Sequence, residues 1–599
     1  MYQTFDAGGR PEQGPPRLER LRAALAEQGI DGCLVPRADA WQGEYVAPCD
    51  ERLAWLTGFT GSAGFAVILP DIAGVFVDGR YRVQVRTQVA DVYTPVPWPE
   101  TKAGPWLAEH AAKGAQIGFD PWLHTVQEVT ALRAALDGPG IVLTAIANPV
   151  DAIREDRPAP PEAPFFAYPA EMAGLDHAAK RADLAGGLRK AGHRAVVLTL
   201  PDSIAWLLNI RGADVPRNPV PQGFAILHDD GRCDLFCRPG KADDLRAHLG
   251  DAVAVLPQDG FLAALEGLEG PVRIDPASCP QIVADTLAQA GVAAVQGDDP
   301  CILPKARKTP AEIAGTRAAH LRDGAAMVEF LAWLDAEAPK GELTEIGVVT
   351  ALEGFRRGSN LLRDVSFDTI AGAGPHGAIV HYRVTAATDR TIVPGDLLLV
   401  DSGGQYLDGT TDITRTVIVG APEDDQAVSF TRVLQGMIAV SRARFPRGIA
   451  GRDLDALARA PLWTMGRDYD HGTGHGVGVY LCVHEGPQRI SRKSEVALEP
   501  GMILSNEPGY YREGGWGIRI ENLIAVREAP PLDGADDRDM LDFETLTWVP
   551  IDRRLIRADL LSVDERDWIN RYHADTLGRI GPEVGETARS WLEAACAPL

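Results

Sequence analysis

Between His381 and Asn522 the chain repeatedly sets a side chain able to ligate a metal or carry a proton inside a short, turn-bounded motif. In order these are Val380-His381-Tyr382, Leu399-Val-Asp401-Ser-Gly403, Thr411-Asp412-Ile-Thr-Arg415-Thr416, His471-Gly-Thr-Gly-His475-Gly-Val-Gly478, Val483-His484-Glu-Gly-Pro487, Ser505-Asn-Glu507-Pro-Gly509 and Ile518-Arg519-Ile-Glu521-Asn522. Five of the chain's 13 histidines lie from His376 to His484. Carboxylates brought together without partners repel, and one of them takes up a proton; a divalent cation removes that penalty. A set dominated by carboxylate oxygens, with a single imidazole, suits manganese, magnesium, cobalt or zinc better than a thiolate zinc site. Two such cations balance four carboxylates and can hold a hydroxide between them, the nucleophile of two-metal hydrolases, whose ions sit about 3.5–4 Å apart.

The elements that must position these groups are legible locally. Leu397 to Asp401 reads as a buried strand ending on a carboxylate, and Thr411 to Val417 as a second strand. Turn glycines Gly403, Gly404 and Gly409 lie between them, so a hairpin can set Asp401 beside Asp412. Taken alone, the two aspartates read equally well as turn residues facing water. Glu507 follows the apolar run Met502-Ile-Leu504 and should end a strand. Ile518 to Glu521 alternates, which puts Arg519 and Glu521 on one face and leaves a structural Arg–Glu pair as the plain alternative. The glycines around His475 suit a backbone passing close to a ligand. They are not a dinucleotide fingerprint, because Val477 stands where the third glycine belongs. Neither a His-Glu-x-x-His helix nor a Gly-x-Ser-x-Gly elbow is present. His381 reads as part of an apolar strand, His376 as a solvated loop residue and His471 as a support or a pocket residue.

Over the whole chain, 599 residues exceed what one core can organise. A net charge of −24 argues against a nucleic-acid partner. No stretch approaches the ~18 apolar residues of a membrane span, and the first residues have no apolar signal core, so a cytoplasmic location is expected. The eight cysteines contain no Cys-x-x-Cys pair and read as free thiols, Cys233 and Cys237 sharing one face of a strand. Leu18 to Gln28 reads as a helix, and alternating strands and helices follow, as in an α/β domain. After the proline-rich stretch 153–169 the pattern restarts: Ala205-Trp-Leu207 echoes Ala54-Trp-Leu56, and Gly223-Phe-Ala225 echoes Gly64-Phe-Ala66. A second boundary falls near Cys301 to Pro304. Thr309-Pro310 then reads as the N-cap and first position of a helix to about Glu337, followed by a helix near Thr344 to Arg356. Strand signals at Phe543 to Trp548 precede helices near Asp564 to Asp575 and Pro582 to Ala595.

The ordered set Asp401, Asp412, His475, Glu507 and Glu521 resembles the pita-bread metallopeptidases. Among them the match is closest to aminopeptidase P (Xaa-Pro aminopeptidase) in its long, three-domain cytosolic form, over almost the whole chain. Trp55-Leu-Thr-Gly-Phe-Thr-Gly-Ser62, Asp78-Gly-Arg-Tyr81 and the tail Phe543 to Asp552 carry the rest of the resemblance. It implies an α/β (α+β) fold: creatinase-like α/β domains over residues 1–155 and 156–305, then a pita-bread catalytic domain with its tail over 306–599. It implies hydrolysis of the bond between an N-terminal residue and a penultimate proline by a hydroxide bridging two divalent ions, manganese foremost, with zinc or cobalt as alternatives. Asp401 would bind one ion through both oxygens, Asp412 and Glu521 would bridge, and His475 and Glu507 would complete the other. Glu507 would shuttle the proton, and His381 and His484 would hold the substrate carbonyl and the oxyanion. His471 and Arg519 would line the proline pocket or orient the cluster. Peptides with proline second are the expected partners, and a homodimer through the catalytic domain is expected. The competing readings are a prolidase restricted to dipeptides and a binding protein that has lost its metals; creatinase, which lacks this ligand set, is disfavoured.

Overall fold

The computed structural model describes every residue except Ala7. Two compact units emerge, Gly8–Lys305 and Ala306–Leu599, the latter joined by the extreme N-terminal residues.

Within Gly8–Lys305 one topology occurs twice. Strands β1 (Gly32–Pro36), β2 (Phe65–Ile68), β3 (Ala73–Val77), β4 (Thr94–Pro97), β5 (Gln116–Phe119) and β6 (Val142–Ala145) form a sheet of order β4-β3-β2-β1-β5-β6. Strands β7 (Ala195–Leu198), β8 (Phe224–His228), β9 (Cys233–Cys237), β10 (Val253–Pro257), β11 (Val272–Ile274) and β12 (Ala294–Gln296) form a second, β10-β9-β8-β7-β11-β12. Each has antiparallel pairing at its centre and parallel pairing outside it. Their inner strands are covered on two faces, which is why β1, β3 and β7 are continuous apolar runs rather than alternating ones, while the outer strands β4, β6, β10 and β12 are largely exposed. Period-two geometry sends Cys33, Val35, Ala66 and Ile68 to one core with Leu18, Leu21 and Leu25 of helix α1 (Gly14–Glu27), and Leu34 and Val67 to the other. The repeated Ala-Trp-Leu elements lie in α2 (Arg52–Thr57) and, beyond α3 (His177–Ala191), in α4 (Pro201–Leu208); the repeated Gly-Phe-Ala elements lead into β2 and β8. Cys233 and Cys237 face one core with Leu235, and none of the eight cysteines is in a disulfide.

The second unit starts from helix α5 (Pro310–Glu337). Thr309 Oγ1 accepts from Glu312 N and Glu312 Oε2 accepts from Thr309 N, a capping box with proline at the first helical position. Helix α6 (Glu345–Arg357) packs beside it. Strands β13 (Ile370–Ala373), β14 (Leu397–Ser402) and β15 (Ile413–Ile418) form one antiparallel sheet. Helix α7 (Asp424–Ser441), strand β16 (Phe445–Pro446), helix α8 (Gly451–Trp463) and strands β17 (Gly474–Gly476), β18 (Glu485–Ile490), β19 (Ile503–Asn506), β20 (Gly509–Arg512), β21 (Trp516–Arg519), β22 (Asn522–Glu528) and β23 (Met540–Thr545) follow. Six of these strands make an antiparallel sheet of order β16-β23-β22-β19-β17-β18, and β20 pairs with β21 in a separate hairpin. Helices α9 (Val563–Ile580) and α10 (Glu586–Ala595) close the chain. Phe430, Val433, Leu434, Met437 and Ile438 of α7 bury one face against Leu397, Ile518, Ile551 and Ile569, so strands, hairpin and tail share a core. No helix among the described residues is long and apolar enough to cross a membrane.

Three local expectations need correction. His381 is in a turn after the 3-10 helix Gly374–Ala378, not in a strand, because the chain reverses there behind Pro375 and Gly377. The segment between Asp401 and Asp412 is not a bare turn: Gly404–Tyr406 and Gly409–Thr410 pair as a small hairpin of their own. Glu521 does not continue the strand of Ile518 but occupies the break between β21 and β22.

Candidate metal centre

The acidic side chains converge where strands end. Asp401 is the penultimate residue of β14 and lies opposite Thr414 of β15, while Asp412 immediately precedes β15. Glu507 follows β19 and Glu521 precedes β22, at the point where Asn506 pairs with Asn522. A strand end is where a polar side chain can leave the apolar layer while its backbone stays in the ladder. Thr473 O accepts from Glu507 N at 2.8 Å within the six-stranded sheet, and Thr414 O accepts from Glu521 N at 3.2 Å, which stitches the three-stranded sheet to it at the site.

One ligand atom from each of Asp412, His475 and Glu521 lies within 4.8 Å of the other two. His475 Nε2 is 3.4 Å from Asp412 Oδ2 and 3.5 Å from Glu507 Oε1. Its Nδ1 lies 2.9 Å from Gly476 O, which turns Nε2 inward. Thr414 Oγ1 donates to Glu521 Oε2 at 2.7 Å, and Ser505 Oγ donates to Glu507 Oε1 at 3.2 Å. Asp401 enters through Arg519, whose Nη2 meets Asp401 Oδ2 at 2.5 Å. The Arg519 partner is thus Asp401 rather than Glu521. Asp401 Oδ1 and Glu521 Oε1 are buried with no hydrogen-bond partner. A buried oxygen without a donor is costly, and one on each of two neighbouring carboxylates is what a cation-binding pocket leaves.

The electrostatics agree with that. Burial pushes the Asp401 carboxyl up to about 6, with Asp412 and Glu507 adding to the rise and Arg519 opposing it. Burial also holds Glu521 well above the usual carboxylate range, reinforced by the negative charges of Asp412, Glu507 and Asp401. Burial disfavours the His475 imidazolium, yet the hydrogen bond to Asp412 and the charges of Glu507 and Asp412 raise it to about 9. Without a cation the cluster therefore holds protons where positive charge is missing. The residues fit divalent ions: carboxylate oxygens and one imidazole nitrogen, two of the oxygens left open, and no thiolate.

The remaining predicted residues surround this cluster. The His484 ring stands 4.3 Å from that of His475, edge to face. His381 follows Val380, whose carbonyl accepts from Arg519 Nη1 at 3.3 Å. His471 Nε2 bonds Tyr511 Oη at 2.9 Å, and Arg519 Nη1 donates to that same oxygen at 2.6 Å, so His471 and Arg519 meet through a tyrosine. His376 is not merely solvated: its Nδ1 lies 2.9 Å from the buried Glu345 carboxylate and its ring stacks on Tyr382. The glycines flanking His475 make room for neighbouring strands. A Cβ on Gly474 would strike Ser505 O, and one on Gly476 would strike Glu485 O.

Sequence reading missed Tyr511, Thr414, Arg415 and the pair Lys308–Glu485, whose buried side chains meet beside His484. Thr414 had a signal, since it lies two residues beyond Asp412 and shares its face. Tyr511 had none, because its role depends on the hairpin register that sets Gly509 opposite Arg519.

Comparison with known proteins places this geometry. Residues 314–528 match the profile of metallopeptidase family M24. Residues 17–155 and 156–312 match creatinase/prolidase N-terminal domains, and 539–599 the C-terminal region of peptidase M24. A probable Xaa-Pro aminopeptidase P of Aspergillus fumigatus is 39% identical over 97% of this chain and 92% of its own length. Aminopeptidase P2 of Arabidopsis thaliana is 38% identical over 97% of this chain and 88% of its own. The crystal structure of X-prolyl aminopeptidase from Caenorhabditis elegans, described as a cytosolic enzyme with a di-nuclear active site, superposes with a TM-score of 0.94 at 33% identity, covering 98% of this chain and all of that one. With such likeness over its whole length, the chain belongs to metallopeptidase family M24, among the Xaa-Pro aminopeptidase P relatives.

Proposed function

We propose that this chain is a metal-dependent aminopeptidase that releases the N-terminal residue from peptides whose second residue is proline. The observation that carries the reading is the set of buried carboxylates with two open oxygens, in a chain that matches Xaa-Pro aminopeptidases from end to end. Asp401, Asp412, His475, Glu507 and Glu521 would hold two divalent cations, with Asp412 and Glu521 central and shared. Asp401 offers Oδ1 while Oδ2 stays with Arg519. When bound, the cations supply the positive charge this pocket lacks and make water nucleophilic at neutral pH. Manganese is the proposed native ion.

The chain's own groups do the rest. Glu507 Oε1, held by Ser505, takes the proton from the attacking water and returns it to the proline nitrogen that leaves. His484 and His381 orient the scissile carbonyl and donate to its oxygen as negative charge develops. His471, Tyr511 and Arg519 form a linked wall that shapes the proline pocket. The free amine binds beside Asp401, which restricts cleavage to the chain end. We further propose the division 1–155, 156–305 and 306–599, a homodimer through the last domain, and a cytoplasmic location in keeping with eight cysteines outside any disulfide.

A prolidase would act on dipeptides alone; the two N-terminal domains and the tail, both shared with the aminopeptidase relatives, favour the longer substrate. The test compares Xaa-Pro-Pro, Xaa-Pro and Xaa-Ala peptides after chelation, with and without Mn²⁺. Cleavage of Xaa-Pro-Pro restored by the metal is expected. Cleavage of dipeptides only would make the protein a prolidase. A protein that holds no stoichiometric metal and cleaves nothing would be a binding relative.

A further inference from the structure

Arg415 is a fully buried guanidinium whose hydrogen bonds go to carbonyls, an amide oxygen and a hydroxyl rather than to a carboxylate, an expensive way to place a charge. Its Nη1 donates to Thr414 O at 2.9 Å and to Glu521 O at 2.6 Å. Nη2 donates to Asn522 Oδ1 at 2.8 Å, Val549 O at 2.8 Å and Tyr572 Oη at 2.9 Å, and Nε to Pro550 O at 3.1 Å. The first three acceptors lie at the metal centre; the others belong to the C-terminal segment.

The placement has a reason. Glu521 lies in the break between β21 and β22, where no ladder fixes its carbonyl. Arg415 takes that carbonyl, Thr414 takes the amide, and the Thr414 hydroxyl takes the carboxylate. Glu521 therefore cannot shift unless Arg415 does. Arg415 is held in turn by Val549, Pro550 and Tyr572, and the Tyr572 hydroxyl is fixed by donation to Val549 O at 2.8 Å and by Val549 N donating to it at 3.2 Å. We infer that Arg415 is a positioning residue for the cation site, and that the C-terminal segment acts on the metal centre through it. The inference rests on the two-cation reading above.

The variants are Arg415→Lys, which keeps the charge but not the fork, and Tyr572→Phe, which removes one hydroxyl and keeps the ring stacked on Trp568. Arg553→Gln is the control, since Arg553 ties the tail to itself at Ala594 O and Pro598 O, away from the cluster. Mn²⁺ titration of the chelated full-length protein, thermal unfolding of the cation-free form, and kcat and KM on an Xaa-Pro-Pro peptide are measured on each. About tenfold weaker Mn²⁺ binding at one site, with kcat reduced and KM little changed, is expected for both variants and not for the control. Wild-type metal affinity and kcat in folded Tyr572→Phe overturns the inference, even if Arg415→Lys fails to fold. A lower unfolding temperature with unchanged Mn²⁺ affinity also overturns it, leaving Arg415 merely structural. A wild-type protein that binds no Mn²⁺ removes the two-cation reading itself, and the inference with it, a result distinct from failure of the variants alone.

Discussion

At the scale of single residues, the metal centre is a competition between protons and cations for the same oxygens and nitrogen. His475, raised to about 9, keeps its proton at neutral pH when no cation is bound, and burial with its acidic neighbours shifts Glu521 in the same direction. A cation can use those atoms only after the protons leave, so binding must release them, and affinity must rise with pH up to about 9. Titration calorimetry of the chelated protein with Mn²⁺ at pH 7, in buffers of different ionisation enthalpy, should show release of at least one proton per chain; no buffer dependence would contradict the pocket's electrostatics. His484 stands with its ring edge to face against that of His475. Replacing it with alanine should leave metal content intact and lower kcat by about 10²-fold, the scale of one lost oxyanion donor. Loss of metal in that variant would instead make His484 a ligand.

At the scale of elements, the site depends on strands being stopped at the right residue and on helices being held at their ends. Helix α5 begins with a complete capping box, so Thr309→Ala should cost about 1 kcal/mol, read as a lower unfolding temperature. Just before it, Lys308 meets the buried Glu485 next to His484. Lys308→Met leaves that buried carboxylate without its lysine, and about 3–5 kcal/mol should be lost; stability within 1 kcal/mol of wild type would mean water reaches Glu485. These elements also show what the sequence could and could not tell. Thr309-Pro310 and a carboxylate at the end of an apolar run are local signals, and they located α5, β14 and β19 because capping and burial are decided within a few residues. The site histidine His381 was misplaced because an apolar stretch does not reveal whether the chain reverses. The clearance that the glycines around His475 give Ser505 and Glu485 was not legible, because it belongs to strands distant in sequence. The plain alternative paired Arg519 with Glu521 for the same reason: the alternation sets them on one face, and only the packing of β21 against β14 gives Arg519 Asp401 instead.

At the scale of the whole molecule, each compact unit has its own cores, those of Gly8–Lys305 built around two sheets of one topology and that of the catalytic unit tied to its tail. Chains of this size need not unfold in a single step. Calorimetry should resolve more than one transition, and Mn²⁺ at a hundred times its dissociation constant should stabilise the catalytic one alone, by about 2.7 kcal/mol. That transition should also carry an acid sensitivity set by His573. This histidine is buried in α9 and accepts from Ile551 N through Nε2 at 3.1 Å, so it must stay neutral there. Burial, with the charges of Arg415 and Arg553, pushes it down to about 3. The unfolded chain takes up that proton near pH 6.5, whereas the folded one refuses it until about 3. Between those values the unfolded state binds more protons, so stability is full above pH 6.5 and falls as pH drops, by at most about 5 kcal/mol. His573→Gln can keep an acceptor for Ile551 N without titrating. Its catalytic transition should decline more gently than the wild type's from pH 6.5 to 4, while the transition of Gly8–Lys305 stays the same in both. Parallel declines would mean that the tail opens to admit a proton before the unit unfolds, and with it the core that Arg415 shares with the metal centre.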